Sequence, residues 1–240
     1  MQKIERSPLP STVLDELHAL ALLVEKAADR KKEALRLWDN LKPQTKAAIK
    51  ETLISMSTGL ERCMYCEDGQ GTDIEHFRPK STYPLDTFSW LNYLLACAHC
   101  NSNYKRTKFP LDKDGTPLLI NPADDDPVEH LGFSPTTGLI GALDIRGEST
   151  VVVCGLNRGV CVHGRLDAWV GLAFLIKSYA REKSADRAQR AARIRQVITR
   201  HPFQSVRLWM SRAIREGDAD EYIDDEVVEI IRQHPELLSA

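Results

Sequence analysis

Four of the six cysteines stand as two close pairs, Cys63 with Cys66 and Cys97 with Cys100, each with two residues between its members. That spacing lets both thiolates of a knuckle face one ion, and two knuckles complete a four-cysteine structural zinc site. A single pair is compatible with redox chemistry; two pairs in one short segment favour metal. The thirty residues between the pairs exceed the loop of a common zinc ribbon, so a further element is expected inside. Cys154 and Cys161 lack the spacing and read as core residues.

That loop carries Asp73-Ile-Glu75-His76 and then Arg78, Lys80 and Asn92, and Asn101 directly follows the second knuckle. Metal-assisted hydrolysis of a phosphodiester wants such a set. An imidazole takes the proton of water, while a carboxylate and an amide oxygen hold a hard divalent cation. Oxygen donors suit Mg²⁺ or Mn²⁺ and thiolates select zinc, so two distinct metal sites can coexist. Each residue also has a plain structural reading. A lone histidine is usually structural, Asn92 alone is a cap or turn residue, and His99 either ligates metal or faces solvent. Arg78, Lys80 and Lys105 form either a phosphate contact or a solvated face. The alternative for the whole set is a non-catalytic zinc-knuckle module binding nucleic acid or protein, which has no use for Glu75-His76.

The same residues resemble the HNH (ββα-metal) endonucleases, in the branch pinned by two Cys-x-x-Cys pairs. The resemblance implies Glu75 as a metal ligand, His76 as general base, Asn92 as the brace of the loop holding His76, and Asn101 as the second metal ligand. The family often sets a lysine three residues after that asparagine. Here Lys105 stands four after, which leaves Asn103 as a rival. A narrower likeness runs through Glu75-His-Phe-Arg-Pro-Lys-Ser-Thr-Tyr-Pro84, Phe88-Ser-Trp-Leu-Asn92, Cys97-Ala-His-Cys-Asn101, Leu119-Ile-Asn-Pro122 with Asp126-Pro127, and Gly155-Leu-Asn-Arg158 with Arg165. These resemble the PtuB-type HNH proteins over about residues 60 to 166. That resemblance implies an effector of Septu or some retron anti-phage systems, beside a restraining SMC/ABC-like ATPase, PtuA. The chain has no Gly-rich phosphate loop ending in Lys-Ser/Thr.

Elements elsewhere must position these groups. The 240 residues are 42% hydrophobic and 28% charged, ordinary globular composition and enough for one large domain or two small ones. No apolar run is seen to approach the ~18 residues of a membrane span, and the start of the chain is too polar for a signal peptide. A cytoplasmic protein with reduced thiols is expected, without membrane attachment. The net charge of −2 gives no overall pull on nucleic acid, so a basic surface must be local.

Apolar spacing predicts a helix over 11–41 through Leu14, Leu17, Ala21, Val24 and Ala28, then a second over 44–57 after Lys42-Pro43. Turn residues dominate 113–165, with strand candidates at 138–141 and 150–154. Helices are expected from 166 onward, at 168–180, 185–200, 203–215 and 224–233. Arg187, Arg190, Arg193 and Arg200 fall near one helix face, with Arg181 and Lys183 just before; this is a phosphate track, a partner surface or a solvated face. Acidic residues at 216–221 and 224–226 would repel nucleic acid. The expected class is α+β, predominantly helical, with a central zinc-stapled, treble-clef-like ββα-metal core. Its expected parts are a helical region at 1–59, the nuclease core at 60–112, and short strands followed by helices at 113–240.

Overall fold

The apolar repeat at 11–41 folds as two helices. In the computed structural model, which describes residues 1–57, 59–182, 187–217 and 221–238, α1 spans Ser11–Lys26 and α2 spans Arg30–Asp39. Asp29 makes the break, because its carboxylate accepts from the Lys32 amide at 2.9 Å and caps α2. The buried stripe of α1 is Val13, Leu17 and Val24, whereas the expected Leu14 is 40% exposed and Ala28 is exposed. Helix α3, Pro43–Met56, starts with proline at its first turn, where no amide bond is lost. It lays Ile49, Leu53 and Met56 against α1 and the central hairpin.

That hairpin pairs β1, Asp73–His76, antiparallel with β2, Tyr93–Ala96, so that Asp73 faces Ala96 and His76 faces Tyr93. All four residues of β2 are buried. A π-helical segment, His99–Lys105, follows directly. The first residues of the chain bind to this region. Arg6 donates to the carbonyls of Trp90, Leu91 and Tyr93, and Ile4 N donates to Pro122 O.

Strands β3, Leu131–Phe133, and β4, Ile140–Ala142, form a second antiparallel pair. The strand expected at 150–154 is instead the end of α4, Ile145–Val153. Asp144 caps α4 through the Gly147 amide at 2.8 Å, and the Thr150 hydroxyl accepts from the buried Ile120 amide at 2.9 Å. The local cap and that tertiary bond together override the β-preference of Thr150, Val151, Val152 and Val153.

Helix α5, Gly159–Arg181, begins seven residues before the expected 166. It also corrects the expectation about apolar runs, since its length and composition are those of a helix able to cross a membrane. Arg165 and Asp167 interrupt that run, and α5 packs against α6, Arg187–Arg200, α7, Gln204–Glu216, and α8, Asp225–Gln233. Arg165 is buried and donates to Gly138 O, Leu156 O and Asn157 Oδ1 at 2.7–3.0 Å. Part of the arginine stripe is spent within the fold, because Arg181 pairs with Glu226 and Arg190 with Glu182. Lys183, the residue 185 that opened the expected helix, and residues 218–220 of the acidic run lie outside the described residues.

Asp144→Ala should lower stability by about 0.5–2 kcal/mol in urea denaturation, the usual worth of an N-cap. Asp144→Asn, which keeps a capping oxygen, should recover most of it; equal losses in both variants would mean that the cap does not hold α4.

Candidate functional site

The first knuckle is a tight turn, with Cys63 N donating to Gly69 O and Glu67 N to Cys63 O. Glu67 sits at φ 61°, and its buried carboxylate holds the Met1 amino group at 2.9 Å and bonds the Ser205 amide and hydroxyl at the start of α7. The second knuckle opens the π-helical segment, where Cys100 N approaches Cys97 Sγ at 3.5 Å. All four thiols are free and buried, and their sulfurs lie within 4.8 Å of one another. Zn–S bonds of about 2.3 Å in a tetrahedron set the sulfurs about 3.8 Å apart. Cys66 and Cys97 Sγ are 3.8 Å apart, so this cluster has the size and donors to hold zinc. Burial pushes the Cys63 thiol up, while hydrogen bonding with Cys100 holds Cys97 down to about 7. His99 is exposed beside the knuckle, and Cys154 and Cys161 are fully buried.

Beyond the knuckles, Glu75, His76, Lys80, Asn101 and Arg106 line one cavity of about 260 Å³, with Leu35 of α2 as a further wall. Glu75 is 3% exposed and lies 2.5 Å from Lys105 Nζ, a close ion pair outside good hydrogen-bond alignment. Burial raises the Glu75 carboxyl, and Lys105 opposes that shift. Lys105 is fully buried and also donates to His76 O at 3.0 Å, so it neither faces solvent nor awaits a phosphate. The position of this lysine, four residues after Asn101 where three were expected, coincides with the π-helical turn, closed by Arg106 N to Asn101 O at 2.7 Å. A wider turn carries an extra residue before the chain comes round again.

His76 is 5% exposed, and its Nε2 meets Thr87 O at 3.1 Å. A carbonyl only accepts, so Nε2 carries the proton and Nδ1 keeps its lone pair. Trp38 of α2 and Tyr93 pack edge-on against the ring, at 4.3 and 5.2 Å between centroids. Burial first and the Lys80 charge second push His76 down to about 3, against the pull of Thr87 O.

Asn101 Nδ2 donates to Asp73 Oδ2 at 2.9 Å, whereas Asn103 is exposed and does not line the cavity. Asn92 lies apart from this group. Its amide accepts from Arg78 N and donates to Arg78 O and Asp86 O at 2.7–3.0 Å, closing the loop that leads away from His76. Arg78 is turned toward Asp86 at 3.6 Å and stacks over Tyr83. The structure therefore gathers Glu75, His76, Asn101 and Lys80, and leaves Asn92 and Arg78 outside the cavity. Sequence reasoning quoted Asp73 without giving it a role of its own, and missed Arg106, Leu35 and Trp38. Asp73 had a signal, since it stands two residues before Glu75 on one strand face.

The fold and site define a predominantly helical protein built on a short hairpin between two cysteine knuckles, with ionisable groups in a cavity beside it. Over about half its length the chain is PtuB-like. It is 33% identical over 142 residues to the Septu protein PtuB of Bacillus mycoides (strain KBAB4), across 46% of this chain and 47% of that protein. A Septu protein PtuB of Bacillus thuringiensis is 34% identical over 118 residues, 47% of this chain and 42% of that one. The Septu protein PtuA of Bacillus mycoides (strain KBAB4) is 27% identical over 152 residues, 51% of this chain and 21% of PtuA. The chain thus spans about half the length of the PtuB relatives it matches. No protein-family model matches it.

The histidine environment has a measurable consequence. The folded value of about 3 lies below the ordinary 6.5, so the unfolded chain binds the proton first. The neutral imidazole's contribution is complete above pH 6.5 and is lost as pH falls toward 3. Nitrogen NMR without added divalent metal should show His76 as the neutral Nε2–H tautomer from pH 8 to about 5; a midpoint near 6.5 would refute this environment.

Proposed function

We propose that the chain is an HNH-type endonuclease that hydrolyses phosphodiester bonds with a divalent cation, as the effector of a Septu-type or retron anti-phage system. One observation carries this reading: Glu75, His76 and Asn101 meet in a single cavity, on a hairpin-and-helix frame bounded by the four cysteines. His76 Nδ1 accepts the proton of the attacking water. Thr87 O anchors the opposite ring nitrogen, and Asn92 keeps the intervening loop closed. Lys80 and Arg106 line the cavity and face the phosphate. Glu75 and the Asn101 amide oxygen are the donors for Mg²⁺ or Mn²⁺, and the oxygen chemistry fits a hard cation. Such an ion lowers the pKa of water and offsets charge on the phosphate. That contribution matters for a base as weak as His76. Because Lys105 already neutralises Glu75, the cation is held loosely and its effect should titrate. Cys63, Cys66, Cys97 and Cys100 hold a structural zinc.

The relatives' names place PtuB and PtuA alike in Septu systems. A PtuA-like SMC/ABC-type ATPase is therefore the proposed restraining partner in the cytoplasm, docking on the helices at 11–57 and 166–233 that flank the 60–112 core. Likeness of this chain to part of a PtuA is a sequence relation and says nothing of contact between the two.

A second reading, a non-catalytic zinc-knuckle module binding nucleic acid or protein, draws on the burial of the dyad. Glu75 is 3% and His76 5% exposed, with Trp38 4.3 Å from the imidazole. Cleavage assays on plasmid, single-stranded DNA and RNA separate the two. His76→Ala should slow cutting by about 10²–10⁴, the usual worth of a placed general base. Gentle chelation should abolish cutting, and Mg²⁺ or Mn²⁺ should restore it with zinc content unchanged. Asn101→Ala should weaken the metal response and Asn103→Ala should not. Nucleic-acid binding without cutting, equal in wild type and His76→Ala, would favour the knuckle module.

A further inference from the structure

The tetrapeptide Gly155-Leu-Asn-Arg158 is fixed from every side, yet it lies far along the chain from the cavity. Gly155 adopts φ +60°, and a Cβ there would stand 2.3 Å from the ring of Tyr104 in the π-helical segment. Only glycine permits that approach. Leu156 is buried, and its carbonyl accepts from Arg165 Nη1 at 3.0 Å. The Asn157 amide bonds both backbone groups of Ile140 at 2.8–2.9 Å, and its oxygen also accepts from Arg165. The turn is thus held rigidly against the segment that begins at the second knuckle.

Arg158 is what this rigid turn presents. Its Nη1 donates to Gly155 O at 3.1 Å, which fixes the guanidinium, and to Cys100 Sγ at 3.5 Å. The start of α5 therefore touches a ligand sulfur of the second knuckle. Four thiolates around Zn²⁺ carry a net charge of about −2 in a buried place, where an unpaired charge is costly. A guanidinium donating to one sulfur offsets part of that charge with a charge-assisted bond.

We propose that Arg158 is a positioning residue of the metal centre, tuning zinc retention through the Cys100 thiolate and fixing the start of the segment that carries Asn101. The inference rests on zinc occupying the cysteine cluster, and the test keeps the two claims apart. The full-length protein is purified, its zinc measured, and transfer of zinc to a chromophoric chelator followed for wild type, Arg158→Met and Arg158→Lys. Outer ligand-orienting groups typically contribute 10–100-fold to metal affinity. Arg158→Met should therefore release zinc about 10–100-fold faster than wild type, with Arg158→Lys between them.

In cobalt-substituted protein the thiolate-to-metal charge-transfer band should move to lower energy in Arg158→Met, because the sulfur loses its donor. A residue that merely packs would leave that band in place. Should Arg158→Met fail to fold, Arg158→Lys supplies the same two readings. Wild-type release rate and unchanged cobalt spectrum in either folded variant would overturn the role of Arg158. Wild-type protein that contains no zinc and ignores chelator would instead overturn the zinc reading.

Discussion

Four buried sulfurs within 4.8 Å of one another are the constraint on which the centre of this protein turns. Strands β1 and β2 have four residues each, too short for a two-stranded pair to stand alone in water. The cluster closes the open end of their ladder, since Ala96, opposite Asp73, directly precedes Cys97. Cys63 N bonds Gly69 O and Met64 N bonds Leu95 O, so the first knuckle is laid on the same hairpin. The cluster thereby sets the register that places Glu75 and His76, and the direction in which the chain leaves toward Asn101 and Lys105.

Around that frame the ionisable groups are arranged to keep charge in the interior small. Lys105 offsets Glu75, and His76 is neutral through burial and the nearby Lys80 charge, against the pull of Thr87 O. A buried pair of this kind adds little net stability, because desolvation consumes most of the Coulombic gain. Its effect is geometric. Lys105 reaches Glu75 and His76 O together, and so joins the π-helical segment to both residues of the dyad. Asp73 acts on the same segment through Asn101 Nδ2; a carboxylate only accepts, so the amide oxygen of Asn101 points away from it.

What the sequence disclosed follows from how local each cause is. Two residues between cysteines state a knuckle directly, since metal geometry acts over a few bonds. Helices α3, α6, α7 and α8 were legible from spacing and from residues such as Pro43. The misreadings come from side-chain caps that the apolar pattern outweighed and from contacts made far along the chain. Val151, Val152 and Val153 look like strand until Asp144 caps a helix and Ile120 binds Thr150. The break at Asp29 rests on one side-chain cap inside an otherwise helical pattern. Lys105 looked like a surface cation because only the π-helical turn carries it beneath Glu75. Trp38 and Arg158 meet the central segment across 38 and 58 residues of chain, from Trp38 to His76 and from Cys100 to Arg158, and no short motif records either contact.

Those two contacts bear on how the site works as a unit. The expected 60–112 segment contains every residue singled out for the chemistry, yet contacts cross both of its ends. Trp38 and Leu35 form one wall above His76, Arg6 ties down the carbonyls of Trp90 and Leu91, and Arg158 bonds Cys100. Helix α2 buries Ala34 and Leu37 and packs on α1, so the wall over the imidazole is held by the N-terminal helices. The cysteine cluster, by contrast, is gripped by Glu67 with α7 on one side and by the start of α5 on the other. The C-terminal helices are therefore tied to the cysteine cluster and to the origin of the Asn101 segment. Helices α1 and α2 pack together and carry the wall beside His76. The two ends of the chain thus brace different parts of one site.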